Sequence, residues 1–160
     1  ALVNFSKLTN ALKNGNIEKL KAELNKILLE NVGIFDISGI YKEQFYHGLM
    51  LGLILKLRNE YEVSSNGFAG KGRYDLLLKP KNILKQKEGI IIELKAVNID
   101  SVKLSLEKIH EKLENECEIA LKQIDEKEYI SVLRNAGIDE VLKIGIAFFG
   151  KEFEIKFKRE

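Results

Sequence analysis

The sequence predicts an α/β fold in which a central mixed β-sheet is flanked by helices, with a helical extension at the N-terminus. Three observations lead there. Segments with apolar residues three and four apart bracket runs rich in Ile, Leu, Val and Tyr. The run Ile90–Val97 is too continuously apolar for a surface strand and reads as one buried on both faces. The order of helix, three strands, long helix and two strands is that of a layered α/β unit.

The elements follow in turn. Asn4–Asn14 reads as a short helix with Phe5, Leu8 and Leu12 on one side, closed by Gly15. A second helix spans Ile17–Glu30, with Asn16 as its N-cap and Gly33 as its stop. Ile40–Arg58 is apolar nearly all round, so a helix there is expected between layers. Its Gly48 and Gly52 each cost about 1 kcal/mol relative to Ala, which predicts a close-packed neighbour. Tyr61–Ser65, Arg73–Lys79 and Gly89–Val97 are the three strands. A long helix is expected from Ser101 to Glu128, capped by Asp100 or Ser101, its stripe running through Leu106, Ile109, Leu113, Cys117, Ala120 and Ile124. A short helix, Glu128–Asn135, stops at Gly137, and strands Lys143–Phe149 and Phe153–Phe157 flank a Gly150-Lys151 turn. The helical extension is assigned to 1–37 and the sheet-bearing unit to 38–160, as one compact body.

Composition narrows the class. The chain has 160 residues, 45% hydrophobic and 31% charged, which suits one folded domain and excludes disorder. The longest apolar run, Gly48–Leu55, is far short of the roughly 20 residues that span a bilayer. No charged stretch precedes an apolar one near Ala1, so nothing there reads as a signal peptide. Cys117 is the single cysteine, which excludes an internal disulfide and a cysteine zinc site and favours a reducing, cytoplasmic setting. With 26 basic and 24 acidic residues, the net charge of +2 neither demands nor forbids a nucleic-acid partner.

Three charges break the apolar pattern. Glu93 and Lys95 lie two apart in the buried run and so share one face. Buried charges need partners or a job, because an unpaired one costs several kcal/mol. Taken alone, Glu-x-Lys is equally well read as a structural ion pair. Asp75 interrupts the preceding run, although Asp is disfavoured inside strands. Neighbouring strands lie about 4.8 Å apart, so Asp75 and Glu93 could hold one cation between them. Two carboxylates, a backbone carbonyl and waters suit Mg²⁺. A divalent cation acidifies the water it holds, and Lys95 could orient that water or stabilise charge growing on a phosphate.

Asp75 followed by Glu93-Leu94-Lys95 resembles the PD-(D/E)XK nuclease-like superfamily. The chain is most similar to the branch usually found C-terminal to an AAA-type ATPase-like domain in bacterial chains. That similarity rests on Glu43-x-x-Tyr46-His47-Gly48, Ser65-Asn66 and Gly70-x-Gly72-Arg73-Tyr74-Asp75. It continues through Ile92-Glu93-Leu94-Lys95, Ala120-Leu121-x-Gln123-Ile124 and Gly145-Ile146-Ala147-Phe148 with Gly150-Lys151. The resemblance implies a restriction-endonuclease-like core and Mg²⁺-dependent hydrolysis of nucleic acid, DNA ahead of RNA, with Mn²⁺ as a substitute ion. It implies Asp75, Glu93 and the Leu94 carbonyl as metal ligands and Lys95 as the catalytic lysine. Glu43 would be the first-helix carboxylate, Gln123 the helix glutamine bordering the site, and Tyr129 the tyrosine that follows it. An upstream ATPase-like domain is the implied partner. The chain departs from the branch at Phe68 and Ala69, where glutamate and serine are usual. That departure keeps open a catalytically inactive module that binds nucleic acid or a partner domain.

Other features carry blander readings. Gly67–Gly72 imitates a phosphate-binding loop, but Ser65 and Gly72 break the pattern and a strand follows, so a flexible turn is expected. His47 and His110 are each read as packed helical histidines. Lys79, Lys81, Lys85 and Lys87 are read as a solvated turn, and Lys156–Arg159 as a charged strand end.

Overall fold

The computed structural model describes residues 5–33, 42–99 and 104–160. Helices α1 (Phe5–Lys13), α2 (Ile17–Asn31) and α3 (Lys42–Ile54) come first, and α3 tightens into a 3₁₀ turn at Leu55–Leu57. Strand β1 (Tyr61–Ser65) precedes a small hairpin, β2 (Phe68–Ala69) and β3 (Gly72–Arg73). Then come β4 (Leu76–Pro80), β5 (Glu88–Ala96), α4 (Leu106–Glu126), α5 (Ser131–Asn135), β6 (Glu140–Phe149) and β7 (Glu152–Arg159). The main sheet has the order β1-β4-β5-β6-β7, antiparallel throughout except for the parallel pair β5–β6 that α4 connects. This is the mixed sheet flanked by helices that the sequence predicts.

Alternation along the strands sorts the core into two layers. Leu76, Leu78, Ile90, Ile92, Leu94, Ile144 and Ile146 pack with the leucines of α1 and α2 and with Tyr46, Met50 and Ile54 of α3. Leu77, Ile91 and Val141 point the other way, against Leu121 and Ile124 of α4 and Leu133 of α5. The central strands are therefore covered on both faces, which explains their unbroken apolar sequence. Asn16 caps α2 as expected, its side-chain oxygen accepting from the Lys19 amide at 3.2 Å. Cys117 is buried and its thiol donates to the Glu154 carbonyl at 3.1 Å. Burial pushes that thiol up to about 12, so it packs rather than reacts. Among the described residues no helix is long and apolar enough to cross a membrane.

Four expectations need correction. The predicted strand Arg73–Lys79 is two strands in different sheets, because the chain leaves the hairpin at Arg73 and joins the main sheet only at Leu76. The segment Gly67–Gly72 is that hairpin, rather than a free turn. Helix α4 begins at Leu106 with Ser105 as its cap, the hydroxyl accepting from the Lys108 amide at 3.2 Å. The positions expected to cap it, Asp100 and Ser101, lie outside the described residues. Finally, Gly48 and Gly52 have no close neighbour: a Cβ at either would meet nothing within 4 Å. The close approach to a helix occurs instead at Gly145, where a Cβ would stand 2.7 Å from the Cys117 carbonyl. Gly145 pairs with Glu93 across β5–β6, so it lets α4 settle directly over the acidic strand.

Candidate active site

The last pair of β4 with β5 at this end is Leu76 with Ile92. Asp75, one step before, falls beside Glu93 where the ladder opens. Opening the ladder frees the Leu94 amide, which donates to Asp75 Oδ2 at 2.8 Å. In an antiparallel ladder a residue's N–H and C=O face the same neighbour, so the Leu94 carbonyl also points to the Asp75 side. The Asp75 carbonyl accepts from the Asn66 amide at 2.9 Å, which fixes the chain entering β4.

Glu93 is 3% exposed. Its Oε1 accepts from the Gln123 amide at 3.2 Å, while Oε2 is buried without any hydrogen-bond partner. Burial, followed by the charge of Asp75, pushes the Glu93 carboxyl up to about 9. Lys95, on the same face of β5, donates from Nζ to Gln123 Oε1 at 2.6 Å. The Gln123 amide nitrogen also donates to the Tyr129 hydroxyl at 3.2 Å. One glutamine on α4 thus ties the strand's acid, the strand's base and a buried tyrosine together. Tyr129 is in this network despite its distance along the chain from Gln123, because α4 ends at Glu126 and the chain folds back over the sheet.

Asp75 also forms the inner wall of a cleft of about 510 Å³, lined with it by Glu43, Gln44, His47, Asn66 and Arg73. Glu43 sits exposed in the first turn of α3 at the cleft wall, away from the Glu93–Gln123 network. The structure therefore brings Asp75, Glu93, Leu94, Lys95, Gln123 and Tyr129 together and leaves Glu43 at the rim. His47, read from sequence as a packed, hydrogen-bonded helical residue, is both and also lines this cleft. Its Nε2 shares a 2.6 Å hydrogen bond with Ser65 Oγ, and its Nδ1 lies 4.0 Å from Asp75 Oδ1. The signal for it was its position one helical turn after Glu43.

The residues suit a hard divalent cation. Glu93 Oε2 is a buried oxygen without a hydrogen-bond partner, Asp75 supplies the second carboxylate, and the Leu94 carbonyl points toward the Asp75 side. Among the described residues no cluster of three or more His, Cys, Asp or Glu side chains could hold a metal, so an ion here would have at most two such side-chain ligands.

In a comparison with protein families, the model of the PD-(D/E)XK nuclease superfamily matches residues 41–158. The chain belongs to the PD-(D/E)XK nuclease superfamily. No curated protein and no solved structure matched it. Asp75 and Glu93-Leu94-Lys95, the residues that carry the resemblance, all lie within the matched residues. Tyr74, in the place of the proline, is buried, its hydroxyl 2.7 Å from Ser64 Oγ. Tyr74 thus braces the backbone next to Asp75 without a prolyl ring.

Proposed function

We propose that this chain hydrolyses phosphodiester bonds of nucleic acid, DNA ahead of RNA, with Mg²⁺ and with Mn²⁺ as a substitute. The observation that carries this reading is the buried, unpartnered Glu93 oxygen set beside a second carboxylate. Two adjacent carboxylates shielded from water repel each other, and a cation between them relieves both the repulsion and the missing solvation. Asp75, Glu93 and the Leu94 carbonyl would hold the ion. When bound, it supplies Lewis acidity toward a phosphate oxygen and lowers the pKa of water.

The chain's own residues divide the remaining work. Lys95, steered by Gln123 Oε1, sets a positive charge where negative charge grows on the reacting phosphate. Gln123 aligns Glu93 at the same time. Arg73 in the cleft wall suits a backbone phosphate, for which a guanidinium fork is well shaped. Glu43 contributes the first-helix carboxylate at the rim. An upstream ATPase-like domain in a longer chain and a cytoplasmic setting complete the proposal.

Calorimetric titration with Mn²⁺, comparing wild type with Asp75→Ala, tests the site without a guess about substrate. Wild type binds, and the substitution weakens binding by at least about 100-fold and abolishes Mg²⁺-dependent cleavage while circular dichroism stays native. Cleavage that persists in Asp75→Ala sinks the reading. Phe68 and Ala69, standing where the resembled branch carries glutamate and serine, favour a second reading, a module that binds nucleic acid without turnover. Its signature is a gel shift insensitive to EDTA with no cleavage at any metal concentration.

A further inference from the structure

Phe68 is 83% exposed, and no other aromatic among the described residues is comparably open to water. Its mounting is rigid. The base of the β2–β3 hairpin is closed by the Tyr74 amide donating to the Gly67 carbonyl at 3.0 Å. Its tip is pinned where α4 ends, the Lys71 amide donating to the Lys127 carbonyl at 2.8 Å. Gly70, at φ +57°, lies so close there that a Cβ would stand 2.3 Å from the Lys127 carbonyl. Ala69 and Gly72 turn inward, Ala69 into the core beside Tyr129.

Directly paired residues on antiparallel strands share a face, so Phe68 and its partner Arg73 project together, away from that anchor. Arg73 lines the cleft of Asp75, and among the described residues it makes no ion pair. A fixed, bare aromatic ring beside an unneutralised guanidinium, at the lip of a carboxylate cleft, matches a nucleotide: a π-face for a base and a fork for its phosphate.

We propose that Phe68 stacks on an unpaired base of the substrate while Arg73 holds the neighbouring phosphate, which makes single-stranded or frayed nucleic acid the substrate of this cleft. The proposal rests on the nuclease reading for what the cleft does, and on the hairpin alone for what it binds. A duplex keeps its base faces stacked and offers none to Phe68, so the hairpin discriminates by accessibility rather than by sequence.

The chain has no tryptophan, so Phe68→Trp installs a single reporter. It is titrated with a short single-stranded deoxyoligonucleotide and with the same sequence as a blunt duplex, in Ca²⁺ so that the carboxylates are neutralised without turnover. The single strand is expected to quench the reporter and the duplex to leave it unchanged. By anisotropy, Phe68→Ala weakens single-strand binding about 5- to 150-fold, and Arg73→Ala lowers the salt slope by about one phosphate. Equal quenching by duplex, unchanged affinity in Phe68→Ala, or no binding of either oligonucleotide to wild type overturns the proposal. Cleavage in Mg²⁺ separates the two readings. Wild-type cleavage with an unaltered KM in Phe68→Ala removes the stacking role and keeps the nuclease. Quenching without cleavage removes the nuclease and keeps the stacking role.

Discussion

Two glutamates of the same sheet, Glu93 on β5 and Glu154 on β7, are buried to nearly the same degree, 3% and 7% exposed. Their surroundings are opposite. Glu154 is enclosed by cations: Lys21 of α2 bonds one oxygen, and His110 Nδ1 lies 2.8 Å from the other. His110 is held on its second nitrogen by Glu152 at 2.6 Å, so both ring nitrogens face carboxylates. Glu93 has an amide on one oxygen, nothing on the other, and Asp75 as the charge that acts on it most strongly. Lys143, also buried, follows the Glu154 pattern, with Asp125 and Glu160 each at 2.7 Å. Burial alone therefore does not set Glu93 apart in this protein. What sets it apart is burial left uncompensated, a cost to the fold that a ligand would remove.

The comparison breaks most visibly at Glu93. Glu93→Gln is expected to abolish Mn²⁺ binding in calorimetry, yet to stabilise the metal-free protein at alkaline pH. The sign follows from the raised carboxyl. The folded state keeps the proton up to about 9, whereas the unfolded chain releases it near 4.5, so the folded state binds more protons across that window. Stability of the wild type in chelator should thus fall as pH rises from 4.5 toward 9, by up to about 1.4 kcal/mol per unit. Chemical denaturation along a pH series reads that slope, and Glu93→Gln should flatten it. A slope shared by both proteins would show that Glu93 is solvated.

The matching change at the paired site has the opposite sign. Glu154→Ala should destabilise by about 2 kcal/mol, since it strips two cations of their partner. Urea denaturation at neutral pH measures this, and a neutral or stabilising result would erase the contrast with Glu93. Lys143→Met is milder, a loss below about 1 kcal/mol, because the carboxylates it leaves behind are half exposed and regain water. The smallest effect belongs to His110. Burial alone would lower its pKa, but the hydrogen bonds its ring donates to Glu154 and Glu152 outweigh that and raise it above the ordinary 6.5. Its contribution, about 0.5 kcal/mol, is fully present below that value and is lost as pH rises through the raised one. Comparing pH–stability curves of wild type and His110→Gln isolates it.

Much of the site was legible because its residues violate local rules. Asp75 at a strand entrance and Glu93 with Lys95 inside an Ile-rich run contradict what strands and cores prefer, and such conflicts are visible in one dimension. Gln123 and Tyr129 became legible only through the resemblance, since a helical glutamine and a tyrosine break no rule. Phe68 was read as a departure from the family, while its exposed mounting beside Arg73 depends on where Lys127 lies. His47 is packed and hydrogen-bonded as expected, while its place in the cleft wall is invisible to helical periodicity, which tells which residues share a face and not what that face meets. The same blindness misplaced the close-packed glycine: Gly48 and Gly52 cost the same in any helix interior, but only the docking of α4 shows that Gly145 is the contact. The α4 boundary slipped because Asp100, Ser101 and Ser105 are all competent caps, and local chemistry does not rank them.

What the sequence determined by itself was the layering and the central strands, because period-two and period-three-to-four patterns are local consequences of backbone geometry. The tertiary structure decided which buried charges are satisfied. Glu93 and Glu154 each lie between two apolar residues, Ile92 and Leu94 or Phe153 and Ile155, and in space Asp75 arrives at the first and Lys21 and His110 at the second. Electrostatic energy depends on distance in space, and those distances exist only once α2, α4 and the sheet have packed.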